Sequence, residues 1–166
     1  MKKHDADSAD GTRIKNKEWI KSDTWQTDMN AELIHAELTD KLIGIYYDLY
    51  NELGHGFLES VYQKAFALVL RQEGIAYQQQ IPIRVIFRGE EMGEFFADLL
   101  VESSVLIELK AVRALEKAHE RQLLNYLRAT NIEVGLLFNF GPAPQFRRLA
   151  FDNSRKGRKA AAASPF

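Results

Sequence analysis

Between Tyr77 and Lys110 three short stretches that read as strands are joined by two turns, and this part of the chain limits the possible folds more than any other. Tyr77 to Phe87 alternates and carries β-branched residues, Arg88-Gly89-Glu90-Glu91 reads as a turn, and Gly93 to Val101 reads as the returning strand. Glu102-Ser103-Ser104 turns the chain again, into a third strand from Val105 to Lys110. Strands joined by loops this short run antiparallel, because a parallel pair needs a crossover of a dozen or more residues.

The flanking segments have a helical period. A helix is expected from about Asp40 to Leu53, capped by Thr39 and stopped by Gly54, with Leu42, Ile43, Tyr46, Leu49, Tyr50 and Leu53 inward. A second is expected from about Phe57 to Glu73, burying Leu58, Val61, Tyr62, Ala65, Leu68 and Val69 and stopped by Gly74. After the third strand come a helix from about Leu115 to Thr130, a buried strand Glu133 to Phe138, and a short strand around Arg147 to Phe151. The expected fold class is α/β, an α+β arrangement of a mixed sheet with helices packed on it. Its core order is αβββαβ, with an extra helix at the N-terminal side.

With 46% hydrophobic residues in 166, the chain can bury one real core. Residues 1–30 are polar and aperiodic and read as a poorly ordered extension, 31–152 as the single domain, and 153–166 as a basic, low-complexity tail. Met29 stands just before the first periodic segment and is an alternative start to Met1. No apolar run approaches a membrane span and no secretory pattern opens the chain, so a cytoplasmic protein without membrane contact is expected. The absence of cysteine excludes disulfides, thiolate metal sites and cysteine nucleophiles. From Ala31 to Ala150 there are 12 basic and 16 acidic residues, a net of −4, so nucleic acid would not be held by bulk charge. Chemistry must then come from a local constellation.

One such constellation lies on the meander. In Glu108-Leu109-Lys110 the acid and the amine share a face of the third strand, since side chains alternate. In FFADLLV, Asp98 interrupts an apolar run and requires a partner. If Glu102 to Ser104 form a three-residue loop, Val101 pairs with Val105 and Asp98 falls opposite Glu108. Two carboxylates about 5 Å apart repel by roughly 3 kcal/mol at an effective dielectric near 20. A divalent cation held by Asp98, Glu108 and the Leu109 carbonyl would offset that repulsion, and hard oxygen donors suit Mg2+ or Mn2+. Such an ion acidifies a bound water and polarises a phosphoryl oxygen, with Lys110 placed to steady developing charge. The plainer alternative is a surface ion pair between Glu108 and Lys110, with Asp98 solvated at a strand end.

The helices add candidates. Glu59 and Tyr62 share one face of the second helix, and an acid on a burying face is unusual, although the helix macrodipole also favours a glutamate at that end. Gln122 and Tyr126 lie on the inner side of the third helix, where they can meet a phosphate or base or bond within the core. Arg113, Lys117, Arg121 and Arg128 fall opposite the apolar side and read as a solvated face. The histidines His4, His35, His55 and His119 lack ligand spacing, and there is no Walker-type loop, GxSxG or GxGxxG.

GHGFLESVY, with Gly56, Glu59 and Tyr62, resembles the signature of the bacterial GxxExxY proteins, and the resemblance runs from about Leu38 to Phe151 through LTDKLIGIYYDLYNELG, ADLLV, IELKAV, HERQLLNYL and GLLFNFG. That family resembles the PD-(D/E)xK nuclease superfamily, with its restriction-endonuclease-like fold. The resemblance implies a metal-dependent nuclease with Asp98, Glu108 and Lys110 as the catalytic core. It implies that Glu59 completes the metal shell directly or through water, and that Gln122 with Tyr126 contacts substrate, Tyr62 being placed with them. Here Ala97-Asp98 stands where the superfamily's name has Pro-Asp. Three functions compete: hydrolysis of phosphodiesters in DNA, ahead of RNA; a catalytically silent module of the same fold that binds nucleic acid or protein; and a homodimer joined through Tyr46, Tyr47 and Tyr50 of the first helix.

Overall fold

A computed structural model describes residues 34–156. Helix α1, Ala36–Leu53, is followed by α2, Glu59–Gln72. Then come strands β1, Tyr77–Phe87, β2, Glu90–Val101, and β3, Val105–Lys110. Helix α3, Lys117–Ala129, crosses over to β4, Val134–Phe140, and β5, Pro144–Ala150, closes the sheet. A single 3-10 turn, Asn153–Arg155, ends the described chain. The extension expected over residues 1–30 lies outside the described residues, as do residues 157–166 of the tail expected from 153, whose first residues form this turn.

The five strands lie in the order β1-β2-β3-β4-β5, antiparallel except where β3 and β4 run parallel. This is the mixed α/β arrangement that the periodicities predict. The first hairpin turns on only two residues, Arg88 and Gly89, both at positive φ (53° and 90°), with Phe87 paired to Glu90. Positive φ at both central positions matches the right-handed twist of the flanking strands, so Glu90 and Glu91 join β2 rather than the turn. The second hairpin has the three-residue loop expected, with Val101 opposite Val105.

Helices cover both faces of the sheet. On one, α1 and α2 pack Leu42, Tyr46, Tyr62 and Phe66 against Leu99, Val101, Ile107, Leu109, Phe138 and Phe140. On the other, α3 packs Leu123, Tyr126 and Leu127 against Ile81, Ile83, Ala97, Leu100, Leu106 and Leu137. Tyr46 stacks on Phe138 with 4.5 Å between centroids, and Tyr62 on Phe140 at 4.0 Å. Such rings bury large areas and dominate the energetics of a core.

Several sequence expectations are corrected here. Thr39 is not the cap of α1: the helix starts at Ala36, and the buried Thr39 hydroxyl donates to the Ala36 carbonyl inside the first turn. The buried stripe of α2 is Tyr62, Phe66, Ala67 and Leu70, whereas Leu58, Val61 and Leu68 are exposed. Apolar residues surround much of that helix, so its own pattern allows more than one inward face and the sheet chooses. Tyr46 and Tyr47 are buried beneath β4 and β5, and the Tyr50 hydroxyl is bonded to the Gly141 carbonyl at 2.8 Å. None of these three tyrosines is an exposed ring, Tyr50 being partly buried. Arg113, Lys117, Arg121 and Arg128 are all exposed, as a solvated face requires.

Candidate active site

The regular alternation of β2 breaks at Asp98. Ala97 and Leu100 both belong to the layer under α3, whereas Leu99 and Val101 belong to the layer under α1 and α2. Opposite the break, Gln80 of β1 has φ 51° and is skipped by a ladder that keeps the same register on either side of it, Gln79 with Leu99 and Ile81 with Ala97. The ladder between β2 and β3 ends one residue earlier, at Leu99 and Ile107. Continued by one step it would set Asp98 opposite Glu108. Instead the Asp98 carboxylate occupies that place, and its Oδ2 accepts the Leu109 backbone N–H at 2.7 Å. Ladder hydrogen bonds lie in the sheet, so the carboxylate sits between the two strands, within β2 and beside the C-terminal end of β3, rather than on one face. The N–H and C=O of a strand residue point to the same side, so the Leu109 carbonyl also faces β2.

Glu108 and Lys110 stand beside it. Glu108 is 3% exposed and Asp98 7%, so neither is the solvated surface acid of the plainer reading. Lys110 Nζ donates to Glu108 Oε1 at 2.7 Å. Burial pushes the Asp98 carboxyl up to about 6, partly opposed by the Leu109 N–H and reinforced by the Glu59 charge. Burial and the Asp98 charge push Glu108 up to about 7, against the pull of Lys110. The Lys110 amine is lowered by burial but raised overall, chiefly by Glu108. The ammonium thus cannot offset the desolvation of two acids.

From α2, Glu59 reaches this set through its charge, which bears on Asp98, Glu108 and Lys110 alike. One turn further along, Gln63 Nε2 donates to Asp98 Oδ1 at 2.6 Å. Sequence reasoning passed over Gln63, although its spacing of four from Glu59 puts both on one helical face. From α3, Gln122 Nε2 donates to the Tyr126 hydroxyl at 2.7 Å, and that hydroxyl is raised first by burial and also by the charges of Glu108 and Asp98. The fold therefore gathers Glu59, Asp98, Glu108, Lys110, Gln122 and Tyr126 around the C-terminal end of β3 and the part of β2 beside it.

Tyr62 is placed otherwise. Its side chain is fully buried, its hydroxyl donates to the Gly54 carbonyl at 3.1 Å and accepts the Phe57 N–H at 3.2 Å, and its ring stacks on Phe140. A side chain with no exposed surface cannot touch substrate. It instead ties down the Gly54–Phe57 connection at the start of the helix that carries Glu59.

The donors fit a divalent cation in one respect that the geometry shows. Glu108 Oε2 is buried and has no hydrogen-bond partner among the described residues. A buried unpaired carboxylate oxygen costs on the order of 1–3 kcal/mol or more unless something positive meets it. Asp98, Glu108 and the Leu109 carbonyl supply hard oxygens of the kind Mg2+ and Mn2+ take. No set of three His, Asp or Glu residues converges on a common point among the described residues, so the protein's own acids would contribute only part of a shell.

The profile of the PD-(D/E)XK nuclease superfamily matches residues 36–149, a span that contains every residue of this cluster. No curated protein matches the chain. Among solved structures, one titled "Crystal structure of SSO0001" is 18% identical, with a TM-score of 0.46, and the match covers 80% of this chain and 66% of that one. No described helix is long and apolar enough to cross a membrane. With the profile spanning both helical layers and all five strands, the chain belongs to the PD-(D/E)XK nuclease superfamily.

Proposed function

We propose that this protein is a Mg2+- or Mn2+-dependent nuclease of the GxxExxY type that hydrolyses phosphodiesters in DNA, with RNA the second substrate to test. The observation that carries the reading is the pair Asp98 and Glu108: buried, shifted up to about 6 and 7, and left with one unpartnered oxygen beside an ammonium. A fold that merely needed stability would not keep two desolvated acids together, since replacing them with apolar groups is often neutral or favourable.

Asp98, Glu108 and the Leu109 carbonyl would hold the cation, with Glu59, which does not converge with both acids on one point, reaching the shell through water. When bound, a divalent cation supplies an acidified water and a polarised phosphoryl oxygen. Lys110 then serves a second purpose, stabilising negative charge that develops on the phosphorus oxygens. Gln122 and Tyr126 approach the same place from α3 and would orient the nucleic-acid strand. Tyr62 acts at one remove, by fixing the start of α2.

The test is cleavage of linear duplex and single-stranded DNA and of RNA by the purified protein, with Mn2+, with Mg2+ and with chelator, beside Glu108→Ala and Lys110→Ala. Metal-dependent cleavage lost in both variants is the expected result. Cleavage that persists in both would belong to another site or a contaminant. Absence of cleavage together with absence of thermal stabilisation by millimolar Mn2+ would leave the silent binding module.

A further inference from the structure

Gln63 is the member of the cluster that the reading above does not use. Its amide donates to Asp98 Oδ1 at 2.6 Å, while the Leu109 N–H donates to Asp98 Oδ2 at 2.7 Å. Both oxygens of one carboxylate are thus held by amide donors from two different elements, α2 and β3. Each oxygen has two acceptor positions, so each keeps one for another ligand. Two donors fix the rotation of the carboxylate about its bond to Cβ, which a single donor would leave freer. Glu108 contrasts with this, since Lys110 holds only its Oε1.

We propose that Gln63 is a positioning residue which locks the Asp98 carboxylate in the orientation that ligates the divalent cation, so that α2 brings two groups to the site one turn apart, Glu59 and Gln63. This rests on the metal-dependent reading of the same site. Partners of metal ligands orient them, and losing such a partner typically lowers metal affinity or activity by about 10–100-fold. Gln63 is only partly buried, so the variants needed to test it do not open a large cavity.

The experiment measures Mn2+ affinity of the full chain by titration of free Mn2+, with no substrate present, for the natural protein, Gln63→Met, Gln63→Ala and the exposed neighbour control Lys64→Ala. Thermal unfolding of each is recorded alongside. The expected result is Mn2+ binding weakened about tenfold or more in both Gln63 variants and unchanged in Lys64→Ala. In the cleavage assay the Mn2+ concentration for half-maximal rate should rise by the same factor, with KM for the nucleic acid little altered. Unchanged Mn2+ affinity with a lowered Tm would overturn the proposal in favour of a structural contact. Tighter Mn2+ binding would also overturn it, showing that Gln63 competes with the cation. Loss of the fold in both Gln63 variants would do the same. If the natural protein itself bound no Mn2+, the metal-dependent reading and this proposal would fall together, whereas normal Mn2+ binding and cleavage in the natural protein with no effect of Gln63→Met would remove this proposal alone.

Discussion

Two buried polar groups sit at the ends of neighbouring strands, and they are satisfied to very different degrees. Asn139 on β4 is fully buried, and both polar atoms of its amide have a partner: Oδ1 accepts the Val112 N–H at 2.9 Å and Nδ2 donates to the Val112 carbonyl at 3.0 Å. The Tyr46 hydroxyl closes the same corner by donating to the Asn139 carbonyl at 2.7 Å. Glu108 on the adjacent β3 is nearly as buried, yet keeps an orphaned oxygen and faces a second acid. A satisfied polar group in a core holds structure together, whereas an unsatisfied one marks a place where something else binds. Asn139 fixes where the chain goes after Lys110; Glu108 and its neighbours are what that placement serves.

The comparison is sharpest if each group is replaced by a neutral residue of similar or smaller size. Glu108→Gln removes a poorly solvated charge, so Tm should hold or rise, while cleavage should fall by about a thousandfold, roughly 4 kcal/mol of barrier. Parallel measurement of Tm and kcat/KM checks it. A large fall in Tm would mean that the acid is structural after all.

Asn139→Ala should do the reverse. It strands the N–H and C=O of Val112 and should cost about 2–4 kcal/mol of stability, with activity falling only as far as the protein unfolds. Gly141→Ala acts on the same corner, because a Cβ there would collide with the Val112 carbonyl. Denaturant unfolding of the two variants should show similar losses, and a stable Asn139→Ala would remove the contrast.

The acids also predict how stability follows pH. Asp98 and Glu108 titrate higher in the fold than their ordinary 3.8 and 4.5, near 6 and 7. Groups raised in this way contribute stability below their ordinary values and lose it as pH rises through the folded ones. Metal-free protein should therefore lose several kcal/mol, on the order of 5 kcal/mol, between about pH 4 and pH 7.5. Lys156, lowered to about 8 by burial, changes the balance only above that window. Mn2+ should stabilise more at pH 7.5 than at pH 5, since it prefers ionised ligands. Thermal melts across pH, with chelator and with Mn2+, test both statements, and the double variant Asp98→Asn, Glu108→Gln should flatten the metal-free curve.

Much of this was legible in the residues alone, and the parts that were not have definite causes. The three-residue loop Glu102–Ser104, which pairs Val101 with Val105, predicts the register that brings Asp98 towards Glu108. An acid in the apolar run FFADLLV calls for a partner, and the same signal is present for Asn139 in GLLFNFG, where it marks a structural group. Pattern alone does not separate the two. The break at Asp98 is not legible because it coincides with a positive φ at Gln80 opposite, a residue type that gives no warning of it. The inward face of α2 was misjudged because Leu58, Val61 and Leu68 make a second plausible stripe, which only the position of the sheet rules out.

That rotation of α2 also explains Tyr62, and leads to the smallest of the expected effects. With Tyr62, Phe66 and Leu70 inward, Glu59 and Gln63 come to the side of the helix that passes Asp98. The Tyr62 hydroxyl holds the Gly54 carbonyl and the Phe57 N–H, and so sets where the helix begins. Tyr62→Phe keeps the ring on Phe140 and removes only those two bonds, so it should cost about 1 kcal/mol of stability. If the tyrosine works by fixing the helix start, kcat should fall a few-fold through a loosened Glu59 while KM for the nucleic acid stays the same. If it touched substrate, KM would rise instead. Steady-state kinetics of this single variant therefore separates a residue that builds the site from one that belongs to it, the same distinction that Asn139 and Glu108 draw on the far side of the sheet.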